Sequence, residues 1–395
     1  MAGRRAATYR WLVVAWGSVW HLPLAAGQEP ANWHVGPALQ RQLAQHVSIV
    51  WVEMPLRTGL QRFSASQQVA VLIDRRVDPT RVLTLSVHAP ASLVLEEVVK
   101  THNQVHAQPE AWPRPALPVS TCVYATRVVY VGPAAIVELL RTVGEQRREE
   151  LQQLPAAVRT RLARLRAWRW DDAAQPAELL HALADEYGLQ VENPHLVPHD
   201  LWAAADLPPM GFADRMTLLA AQFDLTFRID ERGQRVTLLP IDPQDVALVR
   251  EYPTRGRAEA ELRRIAEAVP EAQVEQRGDK ILVRGRLEHH ERIAGTEPTV
   301  RAVPPAGVTV YTFEVRKAPL QQVLEALRAN LQGEGIQLRY DTEALRRAGV
   351  SLQAPVQFRV VQAPLDDLLK TLLSAHGLAH RRVGTAIEIV ADQPP

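Results

Sequence analysis

Three groups of residues have side chains suited to chemistry. His195 and His199 lie close to Glu192 and Asp200, a set of types that binds metal. Pro194 and Pro198 prevent one ordinary helix from presenting both histidines, so a solvated loop is the expectation. His289, His290 and Glu291 are consecutive, and neighbouring helical positions point to different sides, which favours a surface role. Asp366 and Asp367 resemble a catalytic carboxylate pair. They stand in the first turn of a leucine-rich helical pattern, where negative charge complements the helix dipole. No P-loop, dinucleotide fingerprint, His-Glu-x-x-His or Gly-x-Ser-x-Gly sequence occurs. The single cysteine, Cys122, can form neither a zinc site nor an intramolecular disulfide, and its apolar surroundings suit a core position. Sequence reading therefore assigns no catalytic, cofactor-binding or metal residue and expects no enzyme.

Aromatic residues are the remaining candidates: Trp51, Trp112, Trp168, Trp170 and Trp202. Trp168 and Trp170 alternate with Arg169 and should share one face of a strand. They serve either a core or a docking surface. Formal net charge is +1, which gives no strong field for a polyanion, so nucleic acid is not an expected partner. Hydrophobic content of 47% and charged content of 23% are ordinary for globular protein.

The elements behind these residues repeat. Over residues 309–391, Tyr311, Phe313 and Val315 alternate, then Ala318-Pro319-Leu320 opens a helix with Val323, Leu324, Leu327 and Leu331 on one face. Ile336, Leu338 and Tyr340 form a strand closed by Asp341. Val356, Phe358 and Val360 form another, before Ala363-Pro364-Leu365 opens a helix with Leu368, Leu369, Leu372 and Leu373. Two short strands end the stretch, and its apolar positions should bury one core of their own.

Residues 47–131 repeat this order. Val69, Val71, Ile73 and Asp74 match Ile336, Leu338, Tyr340 and Asp341, and Val94, Leu95, Val98, Val99 and His102 match Leu368, Leu369, Leu372, Leu373 and His376 without a gap. A proline-rich insertion falls at 104–120. Residues 132–166 read as a helical connector. Residues 167–241 form a divergent second copy, between these two in the chain, with Asn193 in place of the aspartates and no clear alternation over 194–209. Residues 246–296 read as a smaller βαββα unit with Arg277-Gly278-Asp279 at a hairpin turn, and 298–307 as a linker. The fold class is α+β: tandem small two-helix, mixed-sheet modules joined by a helical connector.

The Ala-Pro-Leu helix starts, the strand ending in Asp341, Ala-Pro-Leu-Asp-Asp-Leu-Leu, Gly377-Leu378 and Ile387-Glu388-Ile389 resemble the short N-terminal domain shared by secretins and TonB-dependent transducers. The βαββα order is similar to the periplasmic repeat modules of secretins. The resemblance implies protein–protein contact in the periplasm and carries no catalytic residues. Pro395 follows the third stretch closely, so neither channel nor receptor is carried over from it.

Residues 1–27 read as a secretory signal peptide. Arg4, Arg5 and Arg10 precede an apolar run, and Ala25-Ala26-Gly27 supplies small residues for cleavage. The mature chain is expected to be exported or periplasmic, with no integral span. The leading function is a non-enzymatic envelope scaffold that binds a protein partner. The alternatives are an accessory component of a secretin-type secretion or pilus system and a hydrolase of envelope polymers. The expected contact is strand addition at an open edge formed by Ala386, Ile387, Glu388, Ile389 and Val390.

Overall fold

The structure, a computed structural model, describes residues 32–106, 117–254, 256–295, 310–333, 335–383 and 386–392. The signal-peptide reading, the 298–307 linker and Trp112 lie outside these residues, as does most of the proline-rich insertion.

Helix α1 (Pro37–Ala44) leads into a first stretch: β1 (His46–Pro55), α2 (Leu56–Gln67), β2 (Val71–Ile73), β3 (Val82–Pro90), α3 (Ala91–His106), β4 (Val119–Tyr124) and β5 (Val128–Pro133). Helices α4 (Ala134–Gln152) and α5 (Ala156–Leu162) follow. The second stretch is β6 (Arg166–Trp170), α6 (Pro176–Glu186), β7 (Gln190–Val191), β8 (Ala205–Met210), α7 (Phe212–Ala220), β9 (Leu225–Ile229) and β10 (Arg235–Pro240). Next come β11 (Leu248–Pro253), α8 (Ala258–Ala268), β12 (Gln273–Arg277), β13 (Lys280–Gly285) and α9 (Leu287–Ala294). The third stretch is β14 (Val310–Pro319), α10 (Leu320–Gly333), β15 (Gln337–Tyr340), α11 (Thr342–Arg347), β16 (Pro355–Pro364), α12 (Leu365–Ser374), β17 (Leu378–Val383) and β18 (Ala386–Ala391). Helices and several small sheets thus make an α+β protein.

One pairing scheme recurs. The first and third strands of each stretch pair antiparallel: β1 with β3, β6 with β8, β14 with β16. The other three form a separate sheet in which the last strand is central. Its orders are β2-β5-β4, β7-β10-β9 and β15-β18-β17. The central strand runs parallel to the short strand on one side and antiparallel to its hairpin neighbour on the other.

The first and third stretches meet through a parallel pairing of β1 with β14, giving a four-stranded sheet of order β16-β14-β1-β3. Strand β1 is apolar on both faces, as the run Ile49-Val50-Trp51-Val52 requires. Ile49 and Trp51 join α2 and α3 residues in one core. Val50 and Val52 join Phe313, Leu324, Leu327 and Leu369 in another. The apolar positions of the third stretch thus share one core, as expected, and β1 adds Val50 and Val52 to it, which the sequence reading did not foresee. Ser48 Oγ donates to Asn330 Oδ1 of α10 at 3.1 Å and lies 3.0 Å from His88 Nδ1, inside this junction.

Helix α4 is the central packing element elsewhere. Ile136, Val137, Leu140 and Leu151 share a core with Leu72, Tyr124 and Tyr130 of the first stretch and Met216, Leu219 and Phe227 of the second. Tyr124 packs so close to Gly144 that a Cβ there would lie 2.4 Å from the phenol oxygen. On its other side Arg141 meets Glu288 at 3.0 Å and also Glu291, while Thr142 Oγ1 accepts Leu287 N–H at 2.9 Å. This ties the βαββα unit, with its core of Ile265, Val269, Ile281, Val283 and Ile293, to the connector.

Some elements differ from expectation. Helices α1 and α11 were not foreseen. Asp341 accepts the N–H groups of Glu343 and Ala344, so it caps α11 as well as closing a strand. Strand β8 contains Pro208 and Pro209, which obscured its alternation. Among the described residues it pairs only with β6, and a strand bonded on one side tolerates proline. His290 is buried rather than superficial, 2.9 Å from Tyr252 Oη and 3.2 Å from the Leu248 carbonyl.

Candidate protein-binding edge

The chemistry-bearing groups of the sequence do not converge. His195 and His199 are exposed, Glu192 accepts from Thr237, and Asp200 pairs with Arg75. No group of three or more His, Cys, Asp or Glu able to hold a metal occurs among the described residues. Asp366 and Asp367 begin α12, with His380 3.5 Å and Arg382 3.3 Å from Asp366. Cys122 packs against the core around α4, and burial pushes its thiol up to about 12. Trp168 and Trp170 are core residues in edge-to-face contact at 4.8 Å, with Trp170 Nε1 donating to the Ala203 carbonyl at 2.8 Å.

The expected edge strand is not an edge. Strand β18, with Ala386, Ile387, Glu388, Ile389 and Val390, lies between β15 and β17 and pairs with both. Its residues alternate: Ile387 and Ile389 are buried, and Glu388 accepts from Arg381 at 2.7 Å. Alternation reports which face of a strand is buried, but not whether a neighbour lies to its left or right. A strand arriving parallel to β15 fills the central slot, leaving β15 and β17 as edges. An unpaired strand side presents N–H and C=O groups that another chain can bond.

Strand β15 has a groove beside it. Arg328 and Gln332 of α10 form one wall, and Ile336, Gln337, Leu338, Arg339 and Tyr340 the other, around about 480 Å³. Arg328 and Gln332 continue a helical stripe begun by Gln321 and Glu325, at spacings that share one face. The Arg328 guanidinium sits 4.4 Å from the Tyr340 ring centroid, a cation–π contact. Burial raises the Tyr340 phenol above its ordinary range, against the opposing influence of Arg328. Arg328 Nε is buried without a hydrogen-bond partner among the described residues. Leu338 is buried, whereas Gln337 and Arg339 are exposed.

The first stretch has a counterpart. Strand β2 is likewise an edge, and a cleft of about 490 Å³ runs between it, Arg57 and Gln61 of α2, and the second stretch. Arg57 and Gln61 stand where Gln321 and Glu325 stand in the third: Leu56 N–H bonds the Arg81 carbonyl as Leu320 N–H bonds that of Ala354. Here the flank is already met by protein. Arg57 pairs with Asp172, and Arg75 with Asp200. Leu201, Trp202 and Trp170 line the opposite wall. The adjoining turn is anchored by Arg76, which bonds the buried Asp74 at 2.7 Å and Asp224 at 2.6 Å. Burial opposes charge on Arg76, but the bonds to Asp74 outweigh it and raise its pKa. Tyr130 also donates to Asp74.

Sequence reasoning equated Asp74, Asn193 and Asp341, and the structure gives the three positions different tasks. Asp74 is a buried anion, Asp341 caps a helix, and Asn193 exchanges two 2.8 Å bonds with Leu238. Among the described residues no helix is long and apolar enough to cross a membrane. No protein-family model matches the chain, and no curated protein matches it.

Proposed function

We propose that the protein is an exported, non-enzymatic scaffold of the cell envelope, built from three copies of one two-helix, mixed-sheet module plus a βαββα unit. Its task is to hold a protein partner through the edge of β15. The recurrence of one pairing scheme supports the three copies. The observation that carries the binding role is the β15 edge itself: among the described residues it pairs with β18 alone, and Arg328, whose buried Nε has no hydrogen-bond partner among them, stands beside it. Backbone bonds supply the affinity of such a contact and side-chain pockets the specificity, so no catalytic group is needed. Export rests on residues 1–27, and a mature chain beginning at Gln28 is the expected form. Met1 on protein from the periplasmic fraction would contradict cleavage before Gln28, and absence of the protein from that fraction would contradict export.

The test is site-specific photo-crosslinking in intact cells. A photoreactive residue at Gln337 should capture one discrete envelope protein. The same residue at Arg277, on the β12–β13 hairpin, should not. Equal capture at both positions, or capture only from Arg277, removes β15 as the docking edge.

A further inference from the structure

We infer that the protein forms a two-fold dimer in which β3 pairs antiparallel with β3 of a second copy, joining two four-stranded sheets into one of eight strands. The inference goes beyond the reading of β15 and does not depend on it. Strand β3 is an outer strand in the order β16-β14-β1-β3. Just past its two ends, Ala91 N–H bonds the Gln45 carbonyl and Leu56 N–H bonds the Arg81 carbonyl. Backbone bonding alternates along an antiparallel strand, so Leu83, Leu85, Val87 and Ala89 turn to β1, and Val82, Thr84, Ser86 and His88 turn outward. The strand is held on both faces. Leu83 and Leu85 share a core with Val94 and Leu95 of α3, and Ser86 Oγ donates to the Ala326 carbonyl of α10 at 3.2 Å. The outward row is therefore a fixed template.

Composition selects the occupant. From Val82 to Pro90 there is no Asp, Glu, Lys or Arg. Val82 is 48% exposed, and Thr84 is exposed as well. Among the described residues the other outer strands are guarded. Strands β6, β9, β11, β12, β15, β16 and β17 each carry at least one arginine, and β8 carries Asp206 and two prolines. Strands β2 and β7 have only three and two residues. Strand β4 is uncharged, but the Asn103 amide bonds both the N–H and the carbonyl of Val119 at 2.9 Å, taking the place of a neighbouring strand there. A charged edge suits an unlike partner, because in a two-fold pair its charge meets its own copy across the strands. An uncharged edge has no such penalty, and antiparallel pairing about a two-fold axis makes the strand its own complement. Thr84 and Ser86, neighbours in the outward row, are a pair of types that bond across strands. The contact closes on itself, so pairing stops at two copies.

The experiment is sedimentation equilibrium of the chain from Gln28 onward, the expected mature form, with hydrogen exchange measured at low and high protein concentration. The mass should rise toward twice that of the monomer, and exchange at the Val82, Thr84, Ser86 and His88 amides should slow in step with it. Thr84→Lys should raise the dimer dissociation constant about tenfold with an unchanged circular-dichroism spectrum, since each copy brings a lysine to the middle of the pair. Thr84→Ser keeps the hydroxyl that accepts the Glu53 N–H at 3.1 Å and should leave the constant unchanged. A monomer at every concentration would overturn the inference and leave the crosslinking result at Gln337 untouched. A dimer that survives Thr84→Lys, with the four amides exchanging equally fast at every concentration, would place the contact elsewhere and overturn it too. Slow exchange of those amides at every concentration would mean that the chain itself covers β3, which also overturns it.

Discussion

Val50 and Phe313 lie opposite each other across the parallel β1–β14 pair, and both are buried in the core of α10 and α12. Residues more than two hundred positions apart thus finish one core. A strand from the beginning of the chain supplies part of the floor on which its last helices rest.

From this follows a result for Val50→Asp in the full chain. An unpaired carboxylate would enter the third-stretch core, at a cost of several kcal/mol. Hydrogen exchange should speed up in α10 and α12, although the substitution sits in the first stretch. Unchanged protection there would show that β1 is not part of that core.

Gly144→Ala tests the packing of α4. In an exposed helix this change gains up to about 1 kcal/mol. Here the new methyl meets Tyr124 at 2.4 Å, and overpacking costs about 1–3 kcal/mol. A lower melting midpoint is expected. A raised midpoint would mean that Tyr124 yields without penalty.

Arg76→Ala leaves Asp74 buried with Tyr130 as its one side-chain donor among the described residues. Breaking a buried pair by removing one partner costs about 3–5 kcal/mol. The double variant with Asp74→Ala should recover part of that loss, because no buried charge then remains. Equal instability of single and double variants in chemical denaturation would exclude the buried anion as the cause.

His290 gives the acid response a specific window. Burial holds its pKa below the ordinary value near 6.5, so it is neutral in the folded βαββα unit. The unfolded chain then binds more protons than the folded one, and stability rises with pH. Stability should begin to fall as pH drops through about 6.5, well above the carboxylate range. His289 is shifted the same way, again chiefly by burial, so His290→Gln should flatten this slope without abolishing it. An unaltered slope in that variant would contradict the assignment.

Much of this was legible. The helical spacing of Leu320, Val323, Leu324, Leu327 and Leu331 predicts a buried face, and all five are buried. The βαββα unit followed from Ile265, Val269, Ile281 and Val283 and the Arg277-Gly278-Asp279 turn. What failed concerns neighbours. Ile387 and Ile389 announced their face, but the slot of β18 is set by long-range pairing that local pattern does not encode. The partnership of β1 with β14 left a trace in the unbroken run Ile49-Val50-Trp51-Val52, since two-sided burial needs two cores. The β15 groove was missed because Arg328 reads as the solvated side of an amphipathic helix. Only the fold brings it over Tyr340.

The most direct measurement is backbone hydrogen exchange along the two edges of the third sheet, with and without the protein captured from Gln337. A partner strand on β15 would slow exchange at outward amides within 337–340 and leave β17 unchanged. Protection on β17 alone, or on neither strand, would contradict binding at the β15 edge.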